Sequence, residues 1–151
     1  MDKLELLKRS ELFRELNNEQ LGLVVPLCTG QVYEPGAIIH KANTIINKIY
    51  VIETGLVGII LEPGPLSQRQ LQAVSNFETF GWEAAIPPHL ATATAKAIER
   101  TKVLAFDGNE LCNLCFAKPE VGCIICRAVA RVIASRLHSA FMQLVGITSQ
   151  D

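Results

Sequence analysis

No stretch of this chain approaches the roughly 18 consecutive apolar residues that a membrane-spanning helix needs. Its start, Met1-Asp2-Lys3-Leu4-Glu5, carries charge where a signal peptide would carry its apolar region. These two absences predict a cytoplasmic protein with no membrane contact. An excess of either charge is also missing. Fourteen Lys and Arg stand against 15 Asp and Glu, a net charge of −1, so no global field draws the molecule toward nucleic acid or anionic lipid. Five cysteines, an odd number with four of them between Cys112 and Cys126, do not make a disulfide framework. Catalytic groupings are absent as well. His40, His89 and His138 are scattered, and neither a Ser-His-Asp nor a Cys-His arrangement is recognisable, so the chain is expected not to be an enzyme.

What is present suits one domain, 1–151, since 151 residues at 49% hydrophobic content bury one core and are too few for two. Asp2 to Leu16 spaces Leu4, Leu6, Leu7, Leu12, Phe13 and Leu16 for one or two short amphipathic helices. Asn17 and Gln20 read as a capping box opening a second helix, which Pro26 kinks or ends, with Cys28 packed inside. From Gly30 the period changes to two. Gln31–Glu34, a Pro35-Gly36 corner and Ala37–His40 read as strands joined by a tight corner, and Lys48–Glu53, a Thr54-Gly55 turn and Leu56–Leu61 as a hairpin. Glu62-Pro63-Gly64-Pro65 is expected to break the chain. Strands at Arg69–Val74, Ala91–Ala97 and Thr101–Asp107 follow. Asp107 then caps a helix over about Glu110–Phe116, and Pro119 restarts helix, periodic from Val121 to Leu144. The fold class expected is α+β: a small antiparallel barrel or jelly-roll-like β-roll, with helices confined to the ends.

Between the strand regions lies Phe80 to Thr94, F-G-W-E-A-A-I-P-P-H-L-A-T-A-T, read as a helical turn that presents backbone N–H groups, followed by an alternating Ala-Thr strand. In order along the chain stand Leu12-Phe13-Arg14-Glu15-Leu16 with Leu21; Tyr33, Gly36 and Ile39; Ile49, Tyr50, Ile52, Gly55 and Val57; Phe80-Gly81 with Ala93-Thr94; and Lys118-Pro119-Glu120. In this order and spacing the chain resembles the cyclic nucleotide-binding domain family, the ligand-sensing half of catabolite-activator-type regulators, over nearly its whole length. The resemblance implies an eight-stranded β-roll (a double-stranded β-helix) flanked by N-terminal helices and a long C-terminal helix. It also implies a ligand held between roll and last helix by a phosphate-binding cassette, F-G-E-L-A-L followed by R-S/T-A-T. On that pattern the candidate ligand-binding residues are Phe80, Gly81, Trp82, Glu83, Ala84, Ala85, Ala91, Thr92, Ala93 and Thr94.

The cassette departs from the pattern at its two anchors. Trp82 stands where the ribose-gripping Glu would be, and Ala91 where the phosphate-pairing Arg would be. Glu83 is one residue late, a rotation of about 100° on a helical turn. A charge-assisted bond to phosphate is worth about 1.5–3 kcal/mol, so weak or no cyclic AMP or cyclic GMP binding is expected. Of His89, Lys96 and Arg100 as substitute cations, strand alternation favours Lys96. Another small ligand that stacks on Trp82, and a pocket simply filled by Trp82 in a structural or protein-interaction domain, stay open.

Cys112-Asn113-Leu114-Cys115 and Cys123-Ile124-Ile125-Cys126 could hold zinc or an iron–sulfur cluster, but both pairs fall inside helices, where packing as small apolar residues is the expectation; no cofactor is expected. On the last helix, Val121, Ile125, Ala128 and Val132 make one apolar stripe, and Val129, Ile133, Leu137, Ala140 and Leu144 a second. The surplus stripe, with the resemblance, predicts a homodimer through 121–144. Arg127, Arg131, Arg136 and His138 on the same helix read as a solvated face. The family's regulators place a helix-turn-helix after this helix and only Gly146 to Asp151 remain here, so direct DNA binding is not expected. A ligand signal would pass to the second copy or to a partner protein.

Overall fold

The computed structural model describes residues 1–64 and 67–149, with side chains through Gly146. Expectations that fall on Pro65 and on residues 150–151 lie outside the described residues. Helix α1 (Lys3–Arg9) starts where the Asp2 carboxylate accepts from the Glu5 N–H and stops at Ser10. The Leu12–Leu16 segment follows as hydrogen-bonded turns, not as a continuous helix. Helix α2 (Asn18–Val24) opens with the expected capping box, Asn17 and Gln20 each bonding the other's backbone N–H. A 3-10 turn, Val25–Leu27, then contains Pro26, which fits because proline needs no N–H partner in a first turn.

Among the described residues eight strands follow: β1 (Cys28–Tyr33), β2 (Ile38–His40), β3 (Lys48–Thr54), β4 (Val57–Gly64), β5 (Ser67–Val74), β6 (Thr79–Phe80), β7 (Thr94–Ala97) and β8 (Thr101–Asp107). They form two four-stranded sheets, ordered β1-β8-β3-β6 and β2-β7-β4-β5, with every strand pair antiparallel. This is the expected β-roll, but the hairpin expected across Gly55 is corrected: β3 and β4 lie in different sheets and do not pair, because the chain crosses from one sheet to the other at that turn. Several strand boundaries differ from the expectation: β1 begins at Cys28 instead of Gln31, β5 at Ser67 instead of Arg69, and β6 falls where the sequence predicts no strand. Glu62-Pro63-Gly64 does not break the chain but ends β4, where Gly64 still pairs with Ser67 of the hairpin partner. Conversely, Ala91–Ala93 lies before β7, because its backbone is engaged by the 43–44 loop: Asn43 donates to the Ala91 carbonyl and Ala91 to the Thr44 carbonyl.

Asp107 ends β8 and caps α3 (Gly108–Ala117) by accepting from the Asn109 and Glu110 N–H groups. Pro119 is the first residue of α4 (Pro119–Ser149), a position that suits its fixed φ. Two apolar clusters hold the parts together. One lies inside the roll around Tyr50, Ile52, Val57, Phe80 and Val103. The larger joins Leu6, Leu7, Phe13, Leu21 and Val24 of the N-terminal segment to Phe106, Leu111 and the Val121, Ile125 and Ala128 stripe of α4. The terminal helices are thus welded to the roll through one core.

Candidate functional site

The turn after β6 is built by Gly81 and a 3-10 helix, Trp82–Ala85. Gly81 has φ +78°, and a Cβ there would stand 2.8 Å from the Lys48 carbonyl oxygen, so both the backbone twist and the close approach to β3 require glycine. Between this turn, the inner side of the roll and the middle of α4 lies a cavity of about 230 Å³. Of the ten candidate residues, Phe80, Gly81, Trp82, Glu83, Thr92 and Ala93 line it. The other four do not. Ala84 and Ala91 are buried in the larger core, Ala85 faces a different groove, and Thr94 turns its hydroxyl toward Glu62 Oε2 at 2.5 Å.

Trp82 forms part of the wall, packed on the larger core, and does not fill the cavity. Glu83 also reaches the wall despite its offset in sequence, on a 3-10 turn that places both Trp82 and Glu83 against the cavity. Its Oε2 accepts from the Thr92 N–H at 2.9 Å and the Thr92 hydroxyl at 2.7 Å, which ties the two halves of the segment together.

The substitute cations expected from the sequence are elsewhere. Lys96 is exposed on β7, Arg100 pairs with Glu34 at the surface at 3.3 Å, and His89 lines the other groove. The cation at the cavity is Arg136 of α4. Its expected place on a solvated face is corrected: the side chain is 16% exposed, and its Nη2 donates to Glu11 Oε2 at 2.9 Å and to the Thr79 carbonyl at 2.8 Å. Glu11 Oε2 also accepts from the Thr79 N–H at 2.7 Å. One clasp therefore joins the N-terminal segment, β6 and α4 at the edge of the cavity. Gln72 of β5 adds a bond to the Arg136 carbonyl at 2.8 Å.

His40, at the end of β2, also lines the cavity and was not singled out in the sequence, where a lone histidine after two isoleucines gives no sign of what it faces. Both ring nitrogens are buried and neither makes a hydrogen bond of full geometry; the Ala93 backbone only approaches. Burial pushes the imidazole below its ordinary pKa of 6.5, against a smaller upward pull from Glu83. The sign of the linked stability follows. Below pH 6.5 the unfolded chain takes up a proton that the folded site resists, so stability is lost as pH falls through 6.5 and is fully present above it. Urea midpoints measured from neutral pH downward are expected to fall in this window for the wild type, and His40→Gln is expected to flatten that slope.

The cysteines divide. Cys28 is buried as expected, its Sγ toward the Val25 carbonyl at 3.2 Å. The expectation of core packing for the other four is corrected in part: Cys112 and Cys115 are half-buried and Cys123 and Cys126 exposed, all along an open apolar groove between α3, α4 and the turn. Burial pushes the Cys115 thiol up to about 11 and raises that of Cys112. Among the described residues no three His, Cys, Asp or Glu side chains are arranged to hold a metal ion. No described helix is long and apolar enough to cross a membrane.

The architecture is thus a β-roll with a cavity between the roll, a Gly-led turn and a C-terminal helix. The profile of the cyclic nucleotide-binding domain family matches residues 30–118, and the chain belongs to that family. Among solved structures, a cyclic nucleotide-binding domain from Methylobacillus flagellatus is similar at TM-score 0.82 and 15% identity, covering 95% of this chain and 80% of that one. The catabolite activator protein of Thermus thermophilus is similar at TM-score 0.76 and 23% identity, covering 92% of this chain and 63% of that one. A Rhodopseudomonas palustris protein that carries a provisional potassium-channel name is 26% identical over 131 residues, 87% of this chain. The chain spans only 30% of that relative's length.

Proposed function

We propose that the chain is a non-catalytic, ligand-sensing regulatory domain whose cavity has lost the charge pattern for cyclic AMP and cyclic GMP. One observation carries this reading. At the position of the cassette Arg, Ala91 is buried in the core, and among the described residues the one guanidinium on the cavity wall, Arg136, is already held by Glu11 and Thr79. A phosphate placed there would be desolvated with no free cation to meet it. Losing a charge-assisted phosphate bond of about 1.5–3 kcal/mol weakens affinity roughly ten- to more than a hundredfold. Calorimetry with cyclic AMP and cyclic GMP is expected to show no saturation at micromolar concentration; saturable micromolar binding of either would overturn the loss.

The signal is carried by α4. Its Val121, Ile125, Ala128 and Val132 are buried on the roll, while Leu137, Phe141 and Leu144, on one helical face, are 51%, 54% and 69% exposed. We read this exposed stripe as the seat of a second copy. Light scattering at micromolar concentration is expected to give twice the 16.5 kDa chain mass, and a monomeric mass would rule the homodimer out. Five free cysteines suit a reducing, cytoplasmic setting.

A further inference from the structure

We propose that the cavity takes an uncharged, planar aromatic ligand that hydrogen-bonds to His40, in place of an anionic ring phosphate. This rests on the reading of the cavity as the ligand site, and three independent features of its wall point to that chemistry.

The first is His40 itself. Its ring stands on the cavity wall, and its two buried nitrogens make no hydrogen bond of full geometry, the Ala93 backbone only approaching; this is a costly arrangement that a ligand's amide, hydroxyl or ring nitrogen would relieve. A neutral imidazole offers one donor and one acceptor, so it suits a polar group that is itself uncharged. The second feature is charge. The described cavity wall has one carboxylate, Glu83, and one guanidinium, Arg136. Glu83 is 8% exposed, is bound by the neutral Thr92, and stands on the path an anion would take. Arg136 is matched by Glu11. An anion would therefore meet a carboxylate with no unpaired guanidinium on the described wall to offset it. The third feature is shape. Phe80, itself stacked on Tyr50 at 4.7 Å between centroids, and Trp82 stand on the same wall as Ile59, Leu61 and Ile133. Aromatic and branched walls around about 230 Å³ accept a flat ring system of small size.

Trp82 is the only tryptophan in the sequence, so its emission reports the cavity directly. The test uses two matched pairs: adenosine against cyclic AMP, which share base and sugar, and benzamide against benzoate. In each pair the uncharged member is expected to change Trp82 emission at concentrations at least about tenfold lower than its anion. His40→Phe, which keeps a flat ring and removes the nitrogens, is expected to weaken the uncharged members about tenfold, with an unchanged thermal midpoint in the absence of probe as the check on folding. Tighter binding of cyclic AMP and benzoate would overturn this inference and leave ligand sensing intact, as would uncharged probes that bind His40→Phe as well as the wild type. Silence of all four probes up to millimolar concentration would remove the ligand-sensing reading together with this one.

Discussion

Replacing Phe13 by alanine is expected to lower the unfolding free energy by about 3–5 kcal/mol, the usual cost of emptying a buried phenylalanine site. Phe13 is 0% exposed, and its ring lies 5.1 Å from that of Phe106 on β8, which is also 0% exposed. Around them sit Leu6, Leu7, Leu21 and Val24 from the N-terminal segment and Val121 and Ile125 from α4. The site is therefore a joint between three parts of the chain and cannot collapse without moving one of them. Against a typical total stability of about 5–15 kcal/mol, the loss removes a large fraction. At roughly 2–4 °C per kcal/mol for a domain of this size, the thermal midpoint should drop by about 6–20 °C. Leu4→Ala on the outer side of α1, where the residue is 36% exposed, serves as the contrast and is expected to cost well under half as much. Equal losses in the two variants would mean that the N-terminal helices do not share the core of the roll.

Ala91→Arg, the substitution that restores the family's cassette letter, is expected to destabilise the protein by about 3 kcal/mol or more and to leave cyclic AMP unbound at micromolar concentration. Ala91 is 1% exposed and packs in the larger core, and its N–H and carbonyl are both committed to the 43–44 loop. A guanidinium added there has to displace apolar neighbours or pull the loop away. Either route costs stability, and neither brings the charge to the cavity that Thr92 and Ala93 line. Urea unfolding and calorimetry on the same preparation check both halves. A variant as stable as the wild type that binds cyclic AMP would show that the Ala91 side chain points to a latent phosphate site.

Much of this fold was legible without coordinates because it is encoded locally. The Asn17/Gln20 capping box, the Asp107 cap, the Gly55 turn and the alternating strands each involve residues within a few positions of one another. Order and spacing of such pieces were enough for the family and for the β-roll. Two of the boundaries that failed, at Pro63 and at Ala91–Ala93, depend on partners far along the chain: the β5 hairpin pairing in one case and the 43–44 loop in the other.

The site followed the same division. The sequence by itself determined the family and the β-roll, and showed that α4 carries more than one apolar stripe. Only the tertiary structure decided which groups meet at the cavity. Arg136 and Glu11 are 125 residues apart and come together through the core that joins α4 and the N-terminal segment to the roll. His40 faces Phe80 at 6.2 Å because two different sheets close on each other. Periodicity states which side of an element is apolar, but not what stands opposite. Charge placement in an enclosed site is a property of that opposition.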